Sequence, residues 1–464
     1  MREDVMRERG TLPPGWTILG FDQAVYTVAV TDRKVKQQDY LATGALPVVD
    51  QGQVFIGGYT DDISRRVECD LPVIVFGDHT RVVKYINFDF AAGADGIKVI
   101  KPIEAFDPKL FFYFLHVLDL PDRGYSRHFQ FLLKERIPLP PLPEQHRIVA
   151  EIEKQFTRLD TGVAALKRVQ ANLRRYRASV LKAACEGRLA PQDPADEPAD
   201  RLLARILAER RVKWQAAHGG KKYVEPAAPV TAGLPELPVG WCWASVEQIT
   251  QNFDGARIPV KSSDREQMQG RYPYYCASGI IDHVNEYIFD GSYLLIAEDG
   301  ANLLSRTTPI AFQAHGQFWV NNHAHVVQLR GDCPLGYLET YMNGLDLKFL
   351  ITGSAQPKLT QANMNRIPVP LPPLPEQHRI VAEVERRLSV VAGLEATVSA
   401  NLARAVRLRQ AVLKRAFEGR LVGQEAGDES AEVLLARIRG GLRQPRFATR
   451  PSVYYNALIR KQGS

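Results

Sequence analysis

The chain has 464 residues, 45% of them hydrophobic, and a formal net charge of +7 at pH 7 with a pI near 9. That length allows two to four domains with cores of their own. With no apolar run of about 18 residues and a start, MREDVMRERG, that is charged from its second residue, the pattern predicts neither a membrane helix nor a secretory leader. Five scattered cysteines (Cys69, Cys185, Cys242, Cys276, Cys333) fit neither a disulfide framework nor a zinc spacing, and the expected compartment is a reducing cytoplasm.

In chain order, residues 1–136 form a variable segment with strand patterns at Val73–Phe76 and Val82–Ile86 and a helical run at Leu110–Leu118. At Pro138–Glu151 stands PLPPLPEQHRIVAE, which returns unchanged 232 residues later at Pro370–Glu383, half a chain on. The same shift relates VLKAACEGRL (180–189) to VLKRAFEGRL (412–421), and the two LLARI stretches at 202–206 and 434–438. Such self-similarity defines the architecture before any single element does. Repeats at 137–211 and 367–442 alternate with variable segments, the second of which covers 237–366 after an Ala/Gly/Pro-rich linker at 212–236.

Each repeat reads as a long helix. Ile152, Phe156, Leu159, Val163, Leu166, Leu173 and Val180 follow a heptad seam, and Val384, Leu388, Val391, Val398, Leu402 and Val412 repeat it, interrupted by Glu395 and Arg409. Pro143 and Pro375 suit a first helical turn, Glu144 and Glu376 complement the positive end of the dipole, and Gly187 and Gly419 are stop signals. A helix from Pro143 to Glu186 would be about 65 Å long, close to two turns of B-DNA at roughly 34–36 Å each. PQDPADEPAD (191–200) breaks the chain before a short amphipathic helix ending near Arg211. In the second variable segment, Tyr293–Ala297 and His325–Leu329 read as strands and Leu335–Met342 as a helix. The expected class is α+β: two α/β domains joined by two long antiparallel, coiled-coil-like helices.

Catalytic motifs are missing from the sequence. There is no G-x-x-x-x-G-K-[ST] phosphate loop, no G-x-G-x-x-G, and the dipeptide Asn-Pro of amino-methyltransferase motifs never occurs. His315, His323 and His325 are the nearest thing to a metal cluster. An H-x-H on a strand can aim two imidazoles one way, but a polar strand face with satisfied histidines is the reading adopted, with no metal site. Cys185 has no base beside it and is read as a packing residue.

IPLPPLPEQHRIVAEIE followed by a long helix ending in EGRL resembles the central repeat of type I restriction–modification specificity subunits. GSAQPKLTQANMNRIPVPLPPLPEQ (353–377) is similar to the end of one of their target-recognition domains running into the distal repeat. FGDHTRVVKYINFDFAAGADGIKVI (76–100) and AEDGANLLSRTTPIAFQAHGQFWVNNHAHVV (297–327) resemble the middles of such domains. The resemblance implies a subunit without a catalytic centre, whose two domains each read half of a split double-stranded DNA site. It also implies two methyltransferase subunits and two restriction/translocase subunits as partners. S-adenosylmethionine, ATP and Mg would then sit on those partners and no cofactor on this chain.

Under that reading DNA contacts are expected from His79, Arg81, Lys84, Lys98, Arg127 and His128 in the first domain, with Asp95 and Tyr125 nearby. In the second they are expected from Asn302, Arg306, Asn322, His323, Gln356 and Lys358. Arg, Asn and Gln suit base edges, and Lys suits phosphate. Glu144, Gln145 and Arg147, with Glu376, Gln377 and Arg379, are read as spacer and subunit-docking residues. Lys167, Arg168, Arg174, Arg175, Arg177 and Lys182 give the first helix a one-sided charge that calls for DNA phosphate or an acidic partner surface. The tail 443–464 reads as a mobile basic extension. The alternatives are a coiled-coil protein-interaction adaptor and a fused restriction–methylation enzyme.

Overall fold

The computed structural model describes residues 12–93, 96–121, 124, 126–353, 356–440 and 448–449. Asp95, Tyr125 and the basic residues read in the tail lie outside them. The chain divides into two compact units, Met1–Leu166 with Ala400–Ser464, and Lys167–Ser399. The divisions fall inside the two long helices, Leu142–Cys185 and Leu374–Phe417. The first unit therefore combines the first variable segment, the start of the first long helix and the end of the second; the other unit combines the complementary pieces.

The first unit holds a five-stranded antiparallel sheet in the order Ala448–Thr449, Val25–Val28, Ile97–Pro102, Val73–Gly77, Val83–Ile86. Val73 to Gly77 is buried at every position, the pattern of a strand covered on both faces. A smaller mixed sheet takes in Lys34–Val35, Ala91–Gly93, Leu46–Val49 and Gly58–Thr60. Asp107 caps the helix Pro108–Leu115 through bonds from the Lys109 and Leu110 amides, with proline in its first turn. That helix buries Leu110, Phe111, Phe114 and Leu115 in the main core.

The other unit is built on a six-stranded sheet, in the order Thr250–Asn252, Ala324–Leu329, Phe289–Ala297, Ala311–Val320, Gln269–Cys276, Gly279–Val284. Against it packs the helix Leu335–Gly344 through Tyr337, Leu338 and Met342. In both units a two-stranded ribbon ties the ends of the variable segment together. Thr17–Gly20 pairs with Arg136–Leu139, and Cys242–Ser245 with Pro368–Leu371. Each ribbon delivers the chain directly into a long helix.

The seam read from the heptads is the buried one: Ile152, Phe156, Leu173 and Val180 on the first helix, Val384, Val391, Val398 and Val412 on the second. Within the first unit the helices run antiparallel. Arg147 meets Asp428 while Asp160, farther along, meets Arg409. The two charged interruptions of the seam are answered across it. Arg409 lies 4.3 Å over the Phe156 ring and pairs with Asp160, and in the other unit Arg177 pairs with Glu395 at 3.1 Å.

Both helices end in the same left-handed turn. Gly187 has φ +65° and Gly419 φ +67°. The Arg188 amide reaches back to Ala183 O at 2.9 Å, and Arg420 to Arg415 O at 2.8 Å. A Cβ on Gly419 would stand 2.3 Å from Pro13 Cγ. Gly419→Val is therefore expected to cost at least about 1–2 kcal/mol from the backbone alone, read as a lowered Tm. An unchanged Tm would show that this turn is not held. The helix after the break runs Ala199–Ala217, six residues beyond Arg211, because Leu202 and Ile206 pack into the core while its outer end makes its own contacts, Trp214 stacking on His218.

Candidate nucleic-acid interface

The doubled Glu-Gln-His-Arg motif builds the same clamp in each unit. Glu144 and Glu376 are each 1% exposed. Glu144 Oε2 accepts from the Trp16 indole N–H at 2.9 Å, and Glu376 Oε2 from Trp241 at 3.0 Å. Burial pushes both carboxyls above their ordinary range, and the indole bonds pull partly against it. Gln145 donates to Ala105 O and Pro140 O and accepts from the Asp107 amide; Gln377 donates to Pro372 O. Arg147 pairs with Asp428 at 2.7 Å, and Arg379 with Asp196 at 2.6 Å. These polar groups are spent inside their own unit. The docking role read for the six residues gives way to an internal one: they fasten the helix start to the variable segment and to the turn after the opposite helix.

In the first unit the structure brings the Asp78–Arg81 turn against residues 126–129. Asp78 O accepts from the His128 amide and faces its Nδ1 at 2.9 Å, while Asp78 Oδ1 accepts from the Phe129 amide. His79 Nδ1 lies 3.2 Å from Ser126 O. Lys98 Nζ stands 5.5 Å over the Phe129 ring. Arg127 is exposed beside them. Three expected contacts are turned inward instead. His128 is 1% exposed, and Lys84, 3% exposed, donates to Val54 O at 2.6 Å and pairs with Asp50. Burial lowers the Lys84 ammonium below its usual range. Arg81, at φ +62°, donates to Leu120 O. Alternation along Val83–Ile86 explains Lys84: it falls on the buried face with Ile86.

In the second unit the loops at 299–306, 321–323 and 356–358 converge. The Gly300 amide donates to Pro357 O, the Glu298 amide to His323 O, and Asp299 bridges Lys358 along the backbone. Asn322, Gln356 and Lys358 are exposed, and His323 Nδ1 faces Asp299 at 2.8 Å. Asn302 is occupied in closing its own loop, accepting from Thr307 Oγ1 and the Thr308 amide. Arg306, at φ +51°, donates to Met342 O and Leu345 O, and burial lowers its guanidinium from its ordinary range.

The three histidines do not converge. His315 is exposed and meets Ser292 Oγ, whereas His325 is 1% exposed. His325 Nδ1 lies 2.6 Å from Asp254 Oδ2 and Nε2 lies 2.8 Å from Leu359 O. Both partners are acceptors, so both ring nitrogens must donate, which only the imidazolium does. Glu298 completes the group, held by Arg257 at 2.7 Å and Lys358 at 3.1 Å. Asp254, Glu298 and His325 could approach one metal ion by distance, but every ring nitrogen and carboxylate is already answered by a proton donor or a cation. The cluster is a charge-balanced core that fixes the loops around it.

The sequence did not disclose Trp16, Trp241, Asp196, Asp428, Asp254, Arg257 or Glu298. A signal existed for some: LPPGW and LPVGW echo one another, and Asp196 and Asp428 stand 232 residues apart. The five cysteines are free; burial pushes the Cys185 thiol up to about 12, which suits packing and not nucleophilic attack.

Two α/β units, each fastened to the start of one long helix and the end of the other, and each presenting converged polar loops, define a DNA-specificity architecture. Residues 238–397 match the type I restriction modification DNA specificity domain. The chain is 37% identical over 139 residues to a provisionally named type I restriction enzyme specificity subunit of Haemophilus influenzae, covering 30% of this chain and 35% of that protein. It is 22% identical to the StySPI specificity subunit of Salmonella potsdam, covering 93% of this chain and 96% of that protein. It spans 54% of the Escherichia coli EcoEI specificity subunit. A solved chain from work on assembly and conformational transition of the type I R-M system shares its fold, with a TM-score of 0.56 and 19% identity, over 89% of this chain and 100% of that one. The chain belongs to the family of type I restriction–modification specificity subunits.

Proposed function

We propose that this chain supplies the DNA sequence specificity of a type I restriction–modification complex, each unit reading one half of a bipartite double-stranded site. The observation that carries the reading is the repetition of one plan. The specificity-domain match lies on the second unit, and the first repeats its end-tying ribbon, indole–glutamate clamp and long-helix ends. Arg127 in one unit, and Asn322, Gln356 and Lys358 in the other, are exposed side chains of types that bond base edges and phosphates.

Methylation and cleavage belong, in this reading, to methyltransferase and restriction/translocase subunits that carry S-adenosylmethionine, ATP and Mg. This chain scaffolds them and catalyses nothing by itself. The absence of phosphate-loop and amino-methyltransferase motifs from the sequence supports it. Val390 and Leu394, 58% and 47% exposed and one helical turn apart, offer apolar area on the second long helix of the kind a partner helix covers. No helix among the described residues is long and apolar enough to cross a membrane, which agrees with work in the cytoplasm.

The test is a genome-wide map of methylated adenines in cells carrying the complex. A motif of two short half-sites around a fixed non-specific spacer is expected, and a continuous short site would overturn the two-headed reading. Exchanging residues 297–327 for those of a relative should change one half-site and leave the other as it was.

A further inference from the structure

The two clamps differ in one respect. In the first unit Gln424 donates to Glu144 Oε1 at 3.2 Å, so both carboxylate oxygens are answered. The residue 232 positions earlier, Gln192, leans toward Glu376 in the other unit without closing a hydrogen bond on its Oε1. Glu376 is 1% exposed, and that oxygen is buried with no hydrogen-bond partner. An ionised oxygen left this way is costly, and a single donor reaching it would be strongly bound.

Glu376 lines a cavity of about 420 Å³ within the second unit. Asp193, Asp196 and Asp200 share the lining with it, Trp241 and three prolines supply flat apolar wall, and no Lys or Arg lines the cavity. Of the four carboxylates only Asp196 has a cationic partner, Arg379, at 2.6 Å. Asp193 and Asp200 are exposed, each accepting one local backbone amide.

We propose that this cavity is a binding site for a guanidinium group, the arginine side chain of a partner protein. The fork of a guanidinium donates to several carboxylates at once and stacks on an indole face, which a compact ammonium does not do. Its N–H groups would give Glu376 Oε1 the donor it lacks. The proposal stands on this pocket alone and is independent of the DNA reading.

The experiment is a calorimetric titration of the full chain with agmatine, the tripeptide Gly-Arg-Gly and spermidine. Saturable binding of agmatine and the tripeptide, on the order of 1 mM for ligands this small, is the expected result. Asp193→Asn with Asp200→Asn, both on the exposed rim, should weaken it at least about fivefold, and Glu376→Gln at least about tenfold. Glu144→Gln should leave it unchanged. No saturable binding, equal binding to the rim variant, or tighter binding of spermidine than of the tripeptide would each overturn the assignment. Because the rim variant touches no buried contact, the test survives even if Glu376→Gln does not fold.

Discussion

Trp241→Ala is expected to destabilise the second unit by about 3–5 kcal/mol, the range for losing a large buried aromatic side chain. Trp241 is 8% exposed and sits in the main core of its unit. Its indole is also the one side-chain donor bonded to Glu376 Oε2. Removing it opens a cavity and strands a buried carboxyl with both oxygens unanswered, two costs that fall on the same place. Trp16→Ala should act on the first unit in the same way but more mildly, because Gln424 still donates to Glu144 there. Amide hydrogen exchange read separately over residues 167–399 and over the rest of the chain would check this. Equal protection loss in both units on Trp241→Ala would mean that the clamp is not local.

His325→Leu should cost the second unit about 3–5 kcal/mol, as expected when one partner of a buried ionic group is deleted and the others remain. Asp254 and Glu298 would be left buried, 7% and 12% exposed at their side chains, with less positive charge to answer them. Adding Asp254→Asn to His325→Leu should recover part of the loss, since it removes the stranded charge. A loss under about 0.5 kcal/mol would place His325 among ordinary surface substitutions.

The same cluster fixes a pH dependence. Burial works to raise the Asp254 carboxyl, but the His325 hydrogen bond and charge outweigh it and hold the group below its usual range. For Glu298, burial is likewise outweighed by the Arg257 bond, the His325 charge and the Lys358 bond. A carboxylate whose folded pKa is depressed contributes stability at neutral pH, and loses it as pH falls through that folded value. The second unit should therefore lose protection progressively as pH falls below about 4, the unfolded carboxylate range. The doubly substituted Asp254→Asn, His325→Leu chain should lose less over the same interval.

Much of the framework was legible in the residues. Heptad spacing located both long helices to within a residue or two of Leu142–Cys185 and Leu374–Phe417. Alternating apolar stretches located strands at Val73–Gly77 and Ala324–Leu329. Prolines before and glycines after the helices marked their ends, because those residues act through their own backbone and need no distant partner. The polar residues were less legible. Lys84, His128, Asn302 and Arg306 have the composition of DNA contacts, and only their neighbours show that they are spent holding loops in place.

The sequence by itself determined that this protein is a repeat: one helical unit written twice, 232 residues apart, after two divergent segments. Periodicity and punctuation are local properties, and a chain displays them whatever its distant parts do. The tertiary structure decided how the repeat closes. Trp16 reaches Glu144 across 128 residues and Arg147 reaches Asp428 across 281, so each unit takes its helix start from one repeat and its helix end from the other. No spacing in a linear sequence states that exchange, because burying an indole against a carboxylate depends on which surfaces meet, and only the folded chain selects them.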